Sequence, residues 1–344
     1  MNCKLTFLSL LLYFFSIFTS IAQTTKPVNL EFEARGDYKC VTVDGTKQKN
    51  ESGFKGNIVN IILKGDITSK FSYGFRNRMN KMNTDNTFFD ATDWLYLKYK
   101  PTKEISILAG KYIVLVAGWE LLPAPIDCYA LSEFCYGFPC YQWGVVAEYT
   151  TPNKKNTFSA QICQSPYEKE YKQLTGKAAD MYAYNTTWTA NYGIIEPYCS
   201  VNFMEYAPNK FINYLSLCGK IHIADNVQLE LDYWNRATSK HTYLGKDYSV
   251  VGQLSYQPST KWNIFAKTSY EVNKSGTDAD YAVQNGTELT RISGGVEYYP
   301  LKNKNIRIHG NYSYSFGKNS NPNGEVKDKM SYVNIGVTWR GKVL

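Results

Sequence analysis

The sequence predicts an all-β chain: a transmembrane antiparallel β-barrel of about sixteen strands, with short turns at one end and longer loops at the other. Three observations carry this: an apolar leader, a hydropathy period of two through the rest of the chain, and alternating short and long polar connections.

The leader sets the compartment. Lys4 supplies a positive start, Leu5 to Phe18 is apolar apart from isolated hydroxyl residues, and Ser20-Ile21-Ala22 is a small-x-small cleavage signal. Residues 1–22 therefore read as a secretory signal peptide cut between Ala22 and Gln23. The run is too short for a comfortable membrane span and no basic stop-transfer flank follows it. Cys3 precedes the run and no cysteine lies at the cut, which argues against a lipid-anchored N-terminus. Residues 23–344 hold no second long apolar stretch, so the mature chain is soluble outside the inner membrane or a barrel. Only helices and closed barrels satisfy every backbone group in lipid.

Composition favours the barrel. The 344 residues include 29 Tyr, 17 Phe and 7 Trp, residues that prefer strands and membrane interfaces. The net charge of +8 is a mild excess and the charges are scattered, which gives no nucleic-acid surface. The eight cysteines match no zinc spacing, and neither a metal nor a cofactor is expected.

The strands follow in order. Val28, Leu30, Phe32 and Ala34 alternate with Asn29, Glu31, Glu33 and Arg35, and Phe71, Tyr73 and Phe75 alternate with Ser72, Gly74, Arg76 and Arg78. Leu95, Leu97 and Tyr99 oppose Trp94, Tyr96 and Lys98; Trp143, Val145, Ala147 and Tyr149 oppose Gln142, Gly144 and Glu148. The rhythm returns at Val227 to Trp234, Trp262 to Lys267 and Ile306 to Tyr314. Such alternation marks strands with one apolar and one wet face, and no convincing amphipathic helix competes. Tight turns fall near Gly65-Asp66, Pro101 to Lys103, Pro152 to Lys154, Tyr192-Gly193, Ala224 to Asn226, Pro258 to Thr260 and Leu301 to Asn303. Between them lie longer polar segments, among them 39–53, 80–91, 166–179, 237–246, 273–286 and 318–327. Both termini then fall on the short-turn, periplasmic side of an outer membrane. Tyr99, Tyr149, Trp262, Tyr298, Tyr299 and Trp339 lie near short-turn ends, where an interfacial girdle belongs. A soluble sandwich of this strand number would be large, and no linker divides the chain.

The hairpin Ile62 to Met79, the segment Asp93 to Pro101, Ala109-Gly110-Lys111, and Ala124 to Asp127 leading into Cys140 to Gly144 resemble the phosphate-selective porin O/P family of outer-membrane channels. The resemblance covers Phe54 to about Val146. It implies a sixteen-stranded porin, usually a homotrimer, with one loop folded into the barrel and outer-membrane lipid around it. The chain departs from the pattern at its end, where Trp339 to Leu344 lacks the terminal aromatic of many such barrels.

The segment 112–139 is too long and too apolar for an ordinary exposed loop, carrying Val114, Leu115, Val116, Trp119, Leu121 and Leu122. We expect it to enter the lumen as a constriction; packing over the rim or a subunit contact is the alternative. Its charges are Glu120, Asp127 and Glu133, with no Lys or Arg from Val114 to Pro139. The inward phase supplies Arg35, Arg76, Arg78, Lys98, Lys220, Arg236, Lys267, Arg291 and Arg307 as a basic wall, with Arg76 and Arg78 pointing the same way. An acidic loop facing a basic wall makes a transverse field. The bland reading pairs these cations with Glu31, Glu33, Glu148, Glu230, Asp232 and Glu297. Cys128 could staple the loop to Cys135 or Cys140, whereas Cys163, Cys199 and Cys218 read as small strand residues.

The expected function is passive diffusion of small hydrophilic solutes or ions, including anions such as phosphate, through a polar, charged lumen. A non-conducting adhesin or structural barrel is the alternative, and a barrel hydrolase a weaker one. The histidines are His222, His241 and His309, and His309 has Asn311, not serine, two residues on. No nucleophile motif accompanies them, so an enzyme is not expected.

Overall fold

A computed structural model describes residues 28–82, 86–239 and 243–343. The expected signal peptide and His241 lie outside the described residues.

Sixteen long strands of eight to fifteen residues form one sheet. They are β1 (Asn29–Val43), β2 (Gly53–Asp66), β3 (Phe71–Arg78), β4 (Thr92–Tyr99), β5 (Ile105–Ile113), β6 (Tyr141–Thr150), β7 (Asn156–Gln164) and β8 (Tyr182–Ala190). β9 (Ile195–Ala207), β10 (Lys210–Ala224), β11 (Val227–Ala237), β12 (Asp247–Ser259), β13 (Trp262–Asn273), β14 (Glu288–Tyr298), β15 (Ile306–Lys318) and β16 (Met330–Lys342) complete the set. The two-residue piece Thr46–Lys47 folds back onto the end of β1. Each strand pairs antiparallel with its sequence neighbour, and β1 pairs with β16 from Glu31↔Lys342 to Val43↔Met330. That last ladder closes the sheet and removes both edges.

Connections at the end where β1 begins are two to seven residues long, from 225–226 to 299–305. The opposite end carries 44–52, 79–91, 114–140, 165–181, 238–246, 274–287 and 319–329, with one two-residue turn at 208–209 among them. Among the described residues, two short α-helices lie in these loops: α1 (Glu133–Gly137) and α2 (Glu168–Thr175). The sequence reading expected no helix. α2 is nonetheless marked locally, by glutamates in its first turn and by Gly176 in the left-handed region, whose N–H caps Lys172 O at 2.9 Å.

The outward phase is apolar and exposed, as at Leu97, Ile107, Val145, Leu217, Leu231 and Ile308. Aromatic pairs ring the short-turn end: Phe71 with Tyr99 at 4.7 Å, Trp262 with Tyr298 at 4.6 Å and Phe32 with Trp339 at 5.0 Å. Tyr299 departs from the expected girdle. Its hydroxyl donates to the inward Glu297 at 3.0 Å, so it faces the interior.

At one glycine the backbone explains the residue. Gly110 has φ +132°, and a Cβ there would stand 2.2 Å from Leu95 O. Gly110→Ala is expected to destabilise the barrel by at least ~1 kcal/mol. Urea unfolding followed by loss of heat-modifiable gel migration measures this; parent-like unfolding would show that β4 and β5 can separate cheaply.

Candidate functional site

The loop 114–140 runs through the barrel interior. Val114 N–H donates to Cys140 O at 2.8 Å and closes its neck. The chain then crosses the inner wall strand by strand. Leu115 N–H bonds Gln161 of β7 at 2.8 Å, and Ala117 N–H bonds Ser200 of β9 at 3.0 Å. Trp119 and Glu120 N–H both bond the Asp232 carboxylate of β11 at 2.8 Å. A buried loop must find a partner for each backbone group, and here polar wall side chains provide many of them. Glu271 of β13 receives Glu133 N–H at 2.5 Å and Phe134 N–H at 2.9 Å, satisfying the first amides of α1.

The far tip of the loop is held by three arginines. Arg35 donates to Ile126 O at 3.1 Å and Cys128 O at 2.9 Å. Arg307 bonds the Asp127 carboxylate at 2.6 Å and Ile126 O at 2.9 Å, and Arg340 reaches Asp127 from β16. The Tyr129 ring lies against both guanidiniums, 4.7 Å from Arg35 and 5.4 Å from Arg307.

The other acids are also engaged. Glu120 pairs with Lys267 of β13 at 2.5 Å and accepts from Ser132 N–H and Oγ. Glu133 accepts Val326 N–H at 3.0 Å from the loop 319–329. Burial raises its carboxyl pKa, while its bonds to Asn319 and Val326 pull the other way.

The interior is divided. On the side of β7 to β12 it is filled by an apolar core, in which Val116, Phe134 and Phe138 of the loop meet Met204, Tyr214, Trp234 and Val251 of the wall. Ala282 and Val283 of the loop 274–287 complete it. Trp234 donates Nε1–H to Ala117 O at 2.5 Å from within it. Arg236 anchors the second loop through Asp280 at 2.7 Å, and pairs with Asp247 at 2.8 Å, with all three side chains buried. The polar, charged lumen expected from the sequence is thus joined, on this side, by a hydrophobic plug.

Beside the loop lies a cavity of about 1250 Å³, bounded by β1 to β6, by the segment 164–172, and by Arg291 and Tyr332. Arg35, Lys39, Lys55 and Arg78 stand on its wall. Among the described residues, Lys39, Lys55 and Arg291 form no ion pair within 4.0 Å.

Three comparisons bear on this architecture. The family model described as phosphate-selective porin O and P matches residues 28–194. Those residues form β1 to β8 and contain the lumenal loop. The protein is an outer-membrane channel. No curated protein gives a significant match to the sequence. The outer membrane channel DcaP of Acinetobacter baumannii superposes with a TM-score of 0.64 at 12% identity, covering 91% of this chain and 97% of that one. An anion-selective porin from Comamonas acidovorans gives 0.60 at 12% identity, over 91% and 99%. OmpT of Vibrio cholerae, in its trimer form, gives 0.58 at 11% identity, over 92% and 100%. At these identities the structural likeness establishes the fold.

In this channel the basic residues singled out from sequence point inward, but most are neutralised in place. Arg76 and Arg78 do face the same way, and both bind Asp93, at 2.9 and 2.8 Å. A bulge lets Asp93 and Trp94 share that face: β3 pairs Arg76 with Trp94 but Asn77 with Thr92. Arg76 also stacks on Trp94 at 3.9 Å and bonds the Tyr141 hydroxyl. Arg35 pairs with Asp37, Lys98 with Glu148, Lys220 with Glu230 and Arg307 with Glu297. Glu148, Glu230 and Glu297 were among the acids named from sequence, without assigned partners. Asp37, Asp93, Asp247 and Asp280 were missed as partners, and Asp232 binds loop amides rather than a cation. The expected gap between an acidic loop and a basic wall is closed at Glu120 and Asp127, which touch their cations directly. His222 and His309 bind the carboxylates of Glu196 and Asp37.

Cys128, Cys135 and Cys140 are free thiols, so the anticipated staple is absent and hydrogen bonds hold the loop instead. Burial pushes Cys128 up to about 11 and Cys140 up to about 12. Both stay protonated near neutral pH and are slow nucleophiles.

Proposed function

We propose that small hydrophilic solutes and ions diffuse passively along the β1 to β6 side of the barrel, past the loop 114–140 acting as a constriction, with anions favoured. The observation that supports this reading is the open cavity, whose lining has Lys39, Lys55, Lys111 and Arg291 without an ion-pair partner among the described residues, offset in part by Asp90, Glu168, Glu170 and Glu325. Their field acts in a narrow, partly desolvated space, where charge sets selectivity. The paired arginines hold the loop and contribute less net field. Of the similar porins, one is anion-selective and one a trimer, which agrees with this selectivity and with a homotrimer. Termini on the short-turn side would be periplasmic.

The test is planar-bilayer recording of residues 23–344 under a salt gradient. Stepwise conductance is expected, with a reversal potential on the anion side. A Lys39→Glu, Lys55→Glu double variant is expected to move that potential toward cations. A folded, inserted barrel with no conductance would remove the channel reading and favour an adhesin or structural barrel. An unmoved reversal potential would take selectivity away from these lysines.

A further inference from the structure

Charge is only part of what the cavity offers. Tyr136 of α1 lines it and is 42% exposed there. Tyr332 of β16 lines it too, and lies within electrostatic reach of Tyr136, Arg35 and Arg291. Among the described residues, neither tyrosine hydroxyl has a hydrogen-bond partner, and the Tyr136 ring packs on no other ring. The lining beside them is apolar. Val41 pairs with Tyr332 across the sheet, Met330 is two residues back on the same file, and Leu131 comes from the loop. Arg291 stands next to this patch, its guanidinium 6.0 Å over the Tyr332 ring. An arginine carries five N–H donors. Two of these go to Ser313 Oγ and one to Leu131 O, which leaves two uncommitted.

We propose that this arm of the cavity binds aromatic monocarboxylates, with the carboxylate on the two uncommitted Arg291 N–H groups and the ring against Tyr136 and Tyr332. The proposal rests on the channel reading, since it names a solute of the same cavity. The lining selects this class over other anions. Inorganic phosphate would give up its water against Val41, Leu131 and Met330 with too few donors to replace it, and a sugar would bury hydroxyls there unpaired. A flat ring gains from the same surfaces, and two tyrosines supply faces and edges to stack on. A carboxylate matches the fork of a guanidinium. An apolar, aromatic lining with a few convergent polar groups is the usual make-up of a small-molecule site. Acids set the charge of the ligand. Glu325 lines the cavity near Lys39, and Glu133 lies within electrostatic reach of Arg291. Both oppose a second negative charge, so a monoanion is favoured over a dianion.

The experiment pairs two readouts on the full mature barrel. Saturation-transfer NMR in a non-ionic detergent measures benzoate binding without needing conductance, with acetate and inorganic phosphate as competitors. Planar-bilayer recording measures how far each anion reduces the chloride current. Benzoate is expected to bind about tenfold more tightly than acetate or phosphate, and to reduce the current over the same range of concentration. Tyr136→Ala and Tyr332→Ala should each weaken benzoate several-fold and leave acetate unchanged. Tyr136→Phe, which keeps the ring, should bind as the parent does. Arg291→Gln should weaken benzoate about tenfold. Should Arg291→Gln fail to fold by heat-modifiable migration, Tyr136→Ala decides, because that side chain carries no hydrogen bond or ring contact among the described residues. Equal binding of benzoate and acetate overturns the proposal, as does parental benzoate binding in both alanine variants. A preference for phosphate also overturns it and assigns the cavity to compact inorganic anions. A barrel that conducts nothing yet binds benzoate through Tyr136 supports the site and removes the channel reading alone.

Discussion

An Arg236→Ala variant is expected to lose about 3–5 kcal/mol of stability, the usual consequence of stranding buried charge, and to pass more current per channel than its parent. Arg236 is fully buried between Asp247 and Asp280, and its guanidinium lies 4.9 Å over the Phe134 ring. Truncation leaves two carboxylates facing each other without a cation. The cheapest relief is release of Asp280, which carries the loop 274–287 and uncovers Ala282 and Val283. Phe138 and Tyr214 then lose part of their packing, and the plugged side of the barrel opens to water. Thermal unfolding in detergent reports the stability and single-channel recording the current. The combination Arg236→Met, Asp247→Asn, Asp280→Asn removes all three charges and should recover most of the loss. An Arg236→Ala barrel with parental stability and conductance would show that the ion triad does not hold the second loop.

Glu120→Ala is expected to undock the loop 114–140 without unfolding the barrel. Glu120 neutralises Lys267, whose side chain is only 5% exposed, and also receives the Ser132 N–H and hydroxyl. Its removal leaves an ammonium buried and two donors unmet, again of order 3–5 kcal/mol. That energy falls on a loop rather than on strand ladders, so it appears as local opening. Hydrogen exchange across 114–140 should rise by two or more orders of magnitude, current should flicker, and the reversal potential should move further toward anions. Pairing Glu120→Ala with Lys267→Met should quiet the loop again. Parental exchange in Glu120→Ala would assign the docking to the Asp232 and Arg307 contacts instead.

The strand rhythm was legible because burial imposes a period of two on nearly every strand, and because one wet face and one lipid face demand opposite chemistry. The inward phase of Arg35, Arg76, Arg236, Lys267 and Arg307 followed from it. The loop 114–140 was legible from its length and its apolar content. What the pattern could not show was long-range pairing. Asp37 was within reach, two residues from Arg35 on the same face. Asp93 was not, because a bulge turns it inward against the alternation. Asp280 belongs to a loop that reads as polar and flexible until Arg236, 44 residues earlier in the chain, is placed opposite it. The apolar plug was hidden for the same reason: Ala282 and Val283 are two small residues in a polar segment, and their partners Phe138 and Tyr214 come from elsewhere in the chain.

The seam between β1 and β16 constrains how such a molecule is made. Its ladder joins the first strand to the last, so no intermediate in synthesis has a complete ring. Until residues 330–342 emerge, β1 and the most recent strand both present bare amides and carbonyls beside an apolar face. In lipid those groups have no water to bond. Biogenesis is therefore all or none at the final strand, and the nascent chain must be shielded from its own kind until the ring can shut. A defect in β16 would be felt as aggregation of the whole chain rather than as a barrel one strand smaller.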